Sequence, residues 1–394
     1  MDGFINTLKL LPLLLVLSVD CFGEDLFVIR PYMIVGEDNR LSLIFKTVKD
    51  VTLSLKVKFS PAGSQDPFSA SKTFKAHELN KFEIGSFRCG SALSYEVTDQ
   101  TEAPLVRNET FSYPCAKEKK KAYFAFMSDT QIKDGASQER ANVLSDMTAE
   151  LRRTYPFSFV LNAGDIVHNG GRESEWVNFF KTADTYLRSS YLLSAVGNHE
   201  YYESESQDKA PVEFFDYMRD QASSDLGTAV TEFEQFSLVV LNSNFKFLSE
   251  ARIKEQWAWL EDKLRKNQSL GKPVLISMHH SPFSSSLEWF REIPTRLRSE
   301  LVPLIEKYSC VKLVLTGHLH LYERSEKAGI RYLIAGPSGG MLSPVSYVNP
   351  HMVYRHSFVT TLSVFEVVED RLTVRTFDSG KTLIDTFTVP LLVR

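Results

Sequence analysis

Upstream of residue 116, apolar and polar positions alternate in short runs separated by turn residues. The clearest runs cover residues 41–46, 51–59 and 82–87, with Pro61, Ala62, Gly63 and Ser64 between two of them. Period-two alternation punctuated by Pro, Gly and Ser predicts strands. With no helical period present, residues 25–116 read as a small β-sandwich. Beyond Lys121 the pattern changes. Apolar runs at 122–127, 157–161, 191–196, 236–241, 274–278 and 311–316 predict buried strands, and amphipathic stretches lie between them. One stretch puts Ile253, Trp257, Leu260 and Leu264 on one face, with Ser249 placed to cap it. Another covers 138–153, with Leu144, Met147 and Leu151 inward. Strands return from Arg331 and end in 372–377 and 383–389. Residues 122–394 therefore read as an α/β domain of two mixed sheets, packed face to face and flanked by helices.

The 394 residues suffice for two domains, each with its own core. Apolar content of 43% and charged content of 24% are those of a globular protein. A formal charge of -4 and a pI near 6.2 give no electrostatic footprint for nucleic acid, and none is expected as a partner. A small phosphorylated substrate stays open, because a metal centre supplies its own positive charge.

At the N-terminus, Lys9 precedes an apolar run from Leu10 to Leu17 that Pro12 interrupts. The run is too short to span a bilayer and reads as a signal peptide over 1–23, which predicts a secreted or otherwise extracytoplasmic protein. Cys21 matches a lipid-attachment cysteine only loosely, since Asp20 precedes it. No later segment is apolar for long enough to cross a membrane. An oxidising compartment would let Cys89 and Cys115 bridge the ends of a hairpin predicted at 91–97 and 105–113. Cys310 opens an apolar strand and reads as a buried thiol. The run from Lys117 to Lys121 reads as a solvated linker. Asn108 and Asn267 each begin a glycosylation acceptor pattern.

Five short segments follow predicted strands, where α/β sheets place their sites. They are Ser128-Asp129-Thr130-Gln131, Gly164-Asp165-Ile166-Val167-His168, Gly197-Asn198-His199-Glu200, His279-His280-Ser281-Pro282 and Gly317-His318-Leu319-His320. Six of the nine histidines fall in them, too many for core packing to explain. Carboxylate, carboxamide and imidazole together suit zinc, manganese or iron. A carboxylate such as Asp165 can bridge two ions, which activate a shared water and clamp the oxygens of an in-line displacement. In the His318-Leu319-His320 pair, alternate side chains point to opposite sides and can serve different ions.

In order and spacing these segments resemble the calcineurin-like metallophosphoesterases, and the stretch from Gly317 to Arg324 is similar to the last motif of the purple acid phosphatases. The resemblance implies a fibronectin type III-like sandwich at 25–116 and a two-metal phosphoesterase domain at 122–394. One ion would be held by Asp129, Asp165 and His320, the other by Asp165, Asn198, His279 and His318. A metal-bridging hydroxide would attack phosphorus, with His199 as proton donor. His280 also fits a ligand register, but Phe283 favours His279 as ligand, which leaves His280 facing the substrate. Two departures concern the first ion. His168 stands where purple acid phosphatases have a tyrosine, and Gln131 stands where other relatives have histidine. Between them His168 is the expected ligand, because neutral imidazole outranks carboxamide, with Gln131 the alternative. Glu323 and Arg324 read as a local ion pair, and His351, Tyr354, Arg355 and His356 as loop residues able to reach a phosphate. The expected function is phosphomonoester hydrolysis. The alternatives are a phosphodiesterase acting on cyclic nucleotides or phospholipid head groups, and an exported binding or adhesion protein with an inactive catalytic domain.

Overall fold

The computed structural model describes residues 26–36, 39–60, 66–86, 91–112, 121–133, 138–218 and 224–393. The leader, Cys21, the Cys89–Cys115 pair and all of the charged linker but Lys121 lie outside the described residues. Seven strands come first: β1 (Phe27–Val35), β2 (Arg40–Thr47), β3 (Val51–Ser60), β4 (Phe68–Phe74), β5 (Leu79–Ser86), β6 (Ala92–Thr98) and β7 (Pro104–Ser112). The predicted hairpin is present, with β6 antiparallel to β7. Four of these strands form one sheet in the order β4-β3-β6-β7. The other three, β1-β2-β5, face it across a cluster containing Phe45, Phe74, Phe82, Tyr95 and Phe111. Alternation of inward apolar and outward polar residues makes these strands, as in the burial of Leu53, Leu55 and Val57 along β3.

The strands of the second half are β8 (Ala122–Met127), β9 (Phe159–Asn162), β10 (Tyr191–Ser194), β11 (Ala229–Glu232), β12 (Ser237–Val240), β13 (Val274–Ser277), β14 (Val311–Thr316), β15 (Tyr322–Lys327), β16 (Ile330–Ala335), β17 (Met352–His356), β18 (Thr361–Val368), β19 (Arg371–Asp378) and β20 (Leu383–Pro390). The main helices are α1 (Gln138–Thr154), α2 (Glu173–Leu187), α3 (Val212–Met218) and α4 (Glu250–Ser269). Two mixed sheets result, ordered β20-β19-β18-β8-β9-β10-β1-β2-β5 and β11-β12-β13-β14-β16-β15-β17. Their inner faces share one cluster that includes Phe124, Phe159, Phe236, Leu275, Leu313 and Phe365. Helices α1 and α2 cover one outer face, where Leu144, Met147, Trp176 and Phe180 pack, and α4 covers the other through Ile253, Leu260 and Leu264. The face-to-face arrangement expected from the strand–helix alternation is thus present. Ser249 stands at the start of α4, yet its side chain makes no capping hydrogen bond.

One expectation fails. The two halves do not have separate cores, because β1 pairs in parallel with β10 through Ile34 and Leu192. Tyr32 of β1 stacks on Phe180 of α2, with ring centroids 4.1 Å apart. The three-stranded face of the N-terminal part is therefore the end of the nine-stranded sheet, and a single apolar cluster runs through both halves. Asn267 is also unlike an exposed acceptor: it is buried, donates to the Lys263 carbonyl at 2.9 Å and accepts from Ser237 at 2.7 Å. Among the described residues no helix is long and apolar enough to cross a membrane.

Candidate metal centre

Parallel strands from both sheets end side by side, and their carboxyl ends carry the five segments. Asp129 follows β8, Asp165 follows β9, Asn198 and His199 follow β10, His279 follows β13 and His318 follows β14. Three of these residues, Asp129 (56°), Asp165 (55°) and His318 (65°), are held with positive φ, as is Gln131 (42°). Left-handed backbone of this kind costs a non-glycine residue on the order of 1–3 kcal/mol and concentrates at functional sites. Gly164 makes the sharp exit from β9 possible, since its φ is 96° and a Cβ would lie 2.6 Å from the Gly197 nitrogen.

Asp129 and Asp165 are both buried. Asp129 accepts from Ser128 Oγ at 2.6 Å and from the His318 N–H at 3.0 Å. Asp165 Oδ1 accepts the His199 N–H at 2.9 Å, and its Oδ2 accepts Gln131 Nε2 at 3.2 Å. His279 turns Nδ1 to the Ala163 carbonyl at 2.8 Å, so that nitrogen carries a proton. Its Nε2 lies 3.2 Å from Asp165 Oδ1 and 3.1 Å from Asn198 Oδ1. His320 repeats the arrangement, with Nδ1 on the Met341 carbonyl and Nε2 3.4 Å from Asp129 Oδ1. His318 directs Nδ1 at Asn198 Oδ1 at 3.0 Å, while the Asn198 amide donates to the Tyr202 hydroxyl at 3.2 Å. Asp129, Asp165 and His279 bring their ligand atoms within 4.8 Å of one another, as do His279, His280 and His318.

Electrostatics follow from this packing. Burial tends to raise the Asp165 carboxyl, but the charges of His279 and His199 outweigh it and hold the group well below the usual range. Asp129 is lowered in the same way, with His320 overcoming burial. Burial works to lower His279, yet the Asp165 charge raises it to about 9, and Asp129 raises His320. His280 is different. It is buried, bonds Ser243 Oγ through Nδ1 at 2.9 Å, and is pushed well below its ordinary value by burial and by His318.

The donor set fits cations. His279 Nε2 points at Asp165 Oδ1 and at Asn198 Oδ1, and His320 Nε2 points at Asp129 Oδ1, so in the metal-free protein a ring proton occupies the place between nitrogen and oxygen that a cation would take. Buried carboxylates need positive charge beside them, which the protonated rings supply without metal and a bound cation would supply in their place. The set of two carboxylates, a carboxamide and three imidazoles suits zinc, manganese or iron.

The two residues weighed for the first ion separate clearly. Gln131 bonds Asp165 and lies beside His320; a Cβ on Gly340 would stand 2.6 Å from His320 Cε1 and 2.9 Å from Gln131 Oε1. His168 instead turns its ring against His199, with centroids 4.8 Å apart, and its backbone N–H goes to Glu175 at 2.9 Å. Burial, then His199, lowers its pKa. His199 bonds the His168 carbonyl through Nδ1 at 2.7 Å, which leaves Nε2 3.8 Å from Asp165 Oδ2.

Several neighbours were not legible from the motifs. Glu200 sits under the centre and accepts the backbone N–H groups of Asp165, Ile166 and Gly197 at 2.9, 2.7 and 2.6 Å. Glu288 Oε2 lies 3.8 Å from His318 Nε2, and His318 lowers its pKa. A cleft of about 460 Å³ opens beside Asn198, His280 and His318, and Tyr202, Lys246, Phe247, Glu288, Arg291 and Ile293 line it. A signal for Glu200 existed in its place within the Gly197–Glu200 segment; Glu288 had none. Arg324 pairs with Asp385 at 2.8 Å rather than with Glu323, whose carboxylate takes the Ser285 N–H and the Asn349 amide. His351 packs on Phe283, and Tyr354, Arg355 and His356 lie in β17.

The calcineurin-like phosphoesterase family matches residues 122–322, just over half of the chain, and the chain belongs to it. Its likeness within that family is to the purple acid phosphatases. It is 22% identical over 267 residues to probable purple acid phosphatase 20 of Arabidopsis thaliana, covering 63% of this chain and 62% of that protein. It is 35% identical over 75 residues to a 3',5'-cyclic-nucleotide phosphodiesterase of Nostoc sp., covering 19% of this chain and 27% of that protein. The chain thus spans less than two thirds of the length of these curated relatives. In fold it resembles purple acid phosphatase PPD1 of yellow lupin (Lupinus luteus) seeds, with a TM-score of 0.72 and 13% identity over 91% of this chain and 73% of that one.

Proposed function

We propose that the chain is a two-metal phosphoesterase that hydrolyses phosphomonoesters. The observation that carries this reading is the set of imidazole nitrogens turned onto buried carboxylate and amide oxygens. In this reading Asp129, Asp165, His320 and Gln131 hold one ion, and Asp165, Asn198, His279 and His318 hold the other. His168 is replaced as the expected ligand, because its ring packs on His199 while Gln131 meets Asp165. Ions bound there would lower the pKa of water and offset the charge on a phosphoryl group. His199 protonates the leaving oxygen through Nε2, and the His168 carbonyl fixes the orientation of its ring. His280, held by Ser243 at the floor of the cleft, faces the ester.

The reading extends to export, through the leader at 1–23, and to a fibronectin type III-like sandwich at 25–116, supported by two facing N-terminal sheets. A second reading is a phosphodiesterase, favoured by the cyclic-nucleotide enzyme among the relatives.

Purified protein should carry about two equivalents of metal, and kcat/KM should be higher for p-nitrophenyl phosphate than for its bis-ester or a cyclic nucleotide. His199→Ala should keep the metal and lose turnover by roughly a hundredfold or more, least for good leaving groups. A preference for diesters would select the second reading. Absence of both metal and turnover would leave an inactive binding domain.

A further inference from the structure

The mouth of the cleft is apolar where it meets solvent. Thirteen large hydrophobic residues are exposed among those described; Tyr202 lines this cleft, and Leu287, Phe290, Met341, Leu342 and Val348 lie in the two segments beside it. Leu287, Phe290, Met341 and Val348 are each more than 60% exposed. Scattered single apolar residues are ordinary on a surface, whereas a rim around a pocket marks a binding surface.

The rim is built from two segments that flank the metal ligands. The turn Leu287–Phe290 places Glu288 beside His318, and the segment after Gly340 places the Met341 carbonyl on His320. The segments meet where Tyr347 packs on Trp289 at 5.4 Å and on Phe290 at 5.2 Å. Arg298 fixes the turn from below, stacking on Trp289 at 4.1 Å and donating to the Pro282 carbonyl at 2.8 Å. An anchored turn that still exposes Leu287 and Phe290 presents them to something other than its own core.

Charge in the cleft narrows the occupant. Lys246 and Arg291 are matched by Glu288 and Glu292, and Arg291 Nε lies 3.4 Å from Glu288. This balance offers no surplus positive charge to a leaving group bearing further phosphates. Phe247, Ile293 and Pro294 on the wall instead continue the apolar rim inward.

We infer that the substrate is a lipid phosphate monoester presented from a bilayer, with its acyl chain on the rim and its phosphate at the metal centre. The inference rests on the phosphoesterase reading above. Water adds across the P–O ester bond, giving inorganic phosphate and the lipid alcohol.

The test uses the metal-loaded full chain, a series of n-alkyl phosphates below their aggregation limits, and vesicles of phosphatidylcholine with phosphatidic acid. kcat/KM should rise by up to about fourfold per methylene that reaches the rim, the ratio expected for burying one CH₂. The protein should cosediment with the vesicles. Leu287→Ser/Phe290→Ser/Val348→Ser should abolish both effects while p-nitrophenyl phosphate turnover, which does not use the rim, stays within twofold. A flat chain-length series, or vesicle binding unchanged in the triple variant, would overturn the inference. Loss of p-nitrophenyl phosphate turnover equal to that of the long esters would do the same. If no ester is hydrolysed, the phosphoesterase reading fails by itself, and cosedimentation still decides whether the rim meets a bilayer.

Discussion

Replacing Glu200 by glutamine tests whether this buried carboxylate holds the loop that carries Asp165. Its Oε2 accepts the N–H groups of Asp165 at 2.9 Å and Gly197 at 2.6 Å, and its Oε1 accepts those of Ile166 at 2.7 Å and Val167 at 3.4 Å. Burial and the nearby Asp165 charge push its pKa up to about 7, against the pull of these donors. A glutamine amide turns its oxygen to one pair of donors and its NH₂ to the other, so two buried N–H groups lose their acceptor. At about 1–3 kcal/mol for each unmet donor, the loss is roughly 2–6 kcal/mol, a large part of the ~5–15 kcal/mol that usually separates folded from unfolded protein. The assay is urea unfolding of the metal-free protein, so that bound ions do not mask the change, followed by metal titration of the folded variant. Glu175→Gln is the control. It loses comparable bonds to His168 and Asn169, at 2.9 and 2.7 Å, but contacts no backbone of the ligands proposed above. Glu200→Gln should weaken metal binding as well as stability, and Glu175→Gln stability alone. A Glu200→Gln protein within about 1 kcal/mol of wild type that still binds two ions at wild-type affinity would refute the reasoning.

Gln131→Ala should lower the occupancy of one ion, while His168→Ala should leave the metal content near wild type; elemental analysis after dialysis distinguishes them, and the opposite result would restore His168 as ligand. Iron-loaded protein should lack the strong visible band of a tyrosinate–iron centre. Tyr322 bonds Asp385 at 2.9 Å, so an intense absorption would point to Tyr202, beside Asn198. Cys310 is buried and its thiol is raised to about 11 by burial, so thiolate is scarce at pH 8. Alkylation with iodoacetamide at pH 8 followed by peptide mass spectrometry should find Cys310 unmodified in native protein and modified after denaturation; rapid native labelling would contradict its packing.

Legibility along the chain followed the reach of each interaction. The strands at Ala122–Met127 and Val311–Thr316 were readable to the residue, because nearly all of their residues are apolar and buried. The short strands β10, β12 and β13 end before the apolar runs do, since Val196, Leu241 and Met278 stay buried while the chain leaves the ladder to carry ligands. β1 shows the limit. Its apolar residues suit a strand, but nothing local says that one edge belongs to β10, some 160 residues away, at Ile34 and Leu192. Hence the cluster shared by both halves was invisible from patterns that pointed to separate cores. Likewise Arg324 sits next to Glu323 in sequence, yet adjacent residues on a strand point to opposite faces, and its partner Asp385 comes from β20.

For the proposed centre, the motifs supply residue types and say nothing of orientation. A motif supplies an imidazole at a strand end; it does not say which nitrogen turns inward. That depends on the Ala163 and Met341 carbonyls, which take the Nδ1 protons of His279 and His320. The same limit bears on the choice between Gln131 and His168. Imidazole is the stronger ligand in general, but a ligand must first reach, and the left-handed turn at Gln131 brings its amide to Asp165 while His168 packs away on His199. Two features therefore coincide in one place: non-glycine backbone held at positive φ, and buried carboxylates packed against imidazole nitrogens. Either alone would be a cost with no return in a metal-free fold. Together they are what a preformed cation site requires, since the strained turns aim the ligand atoms and a bound cation would take the place of the ring protons between them.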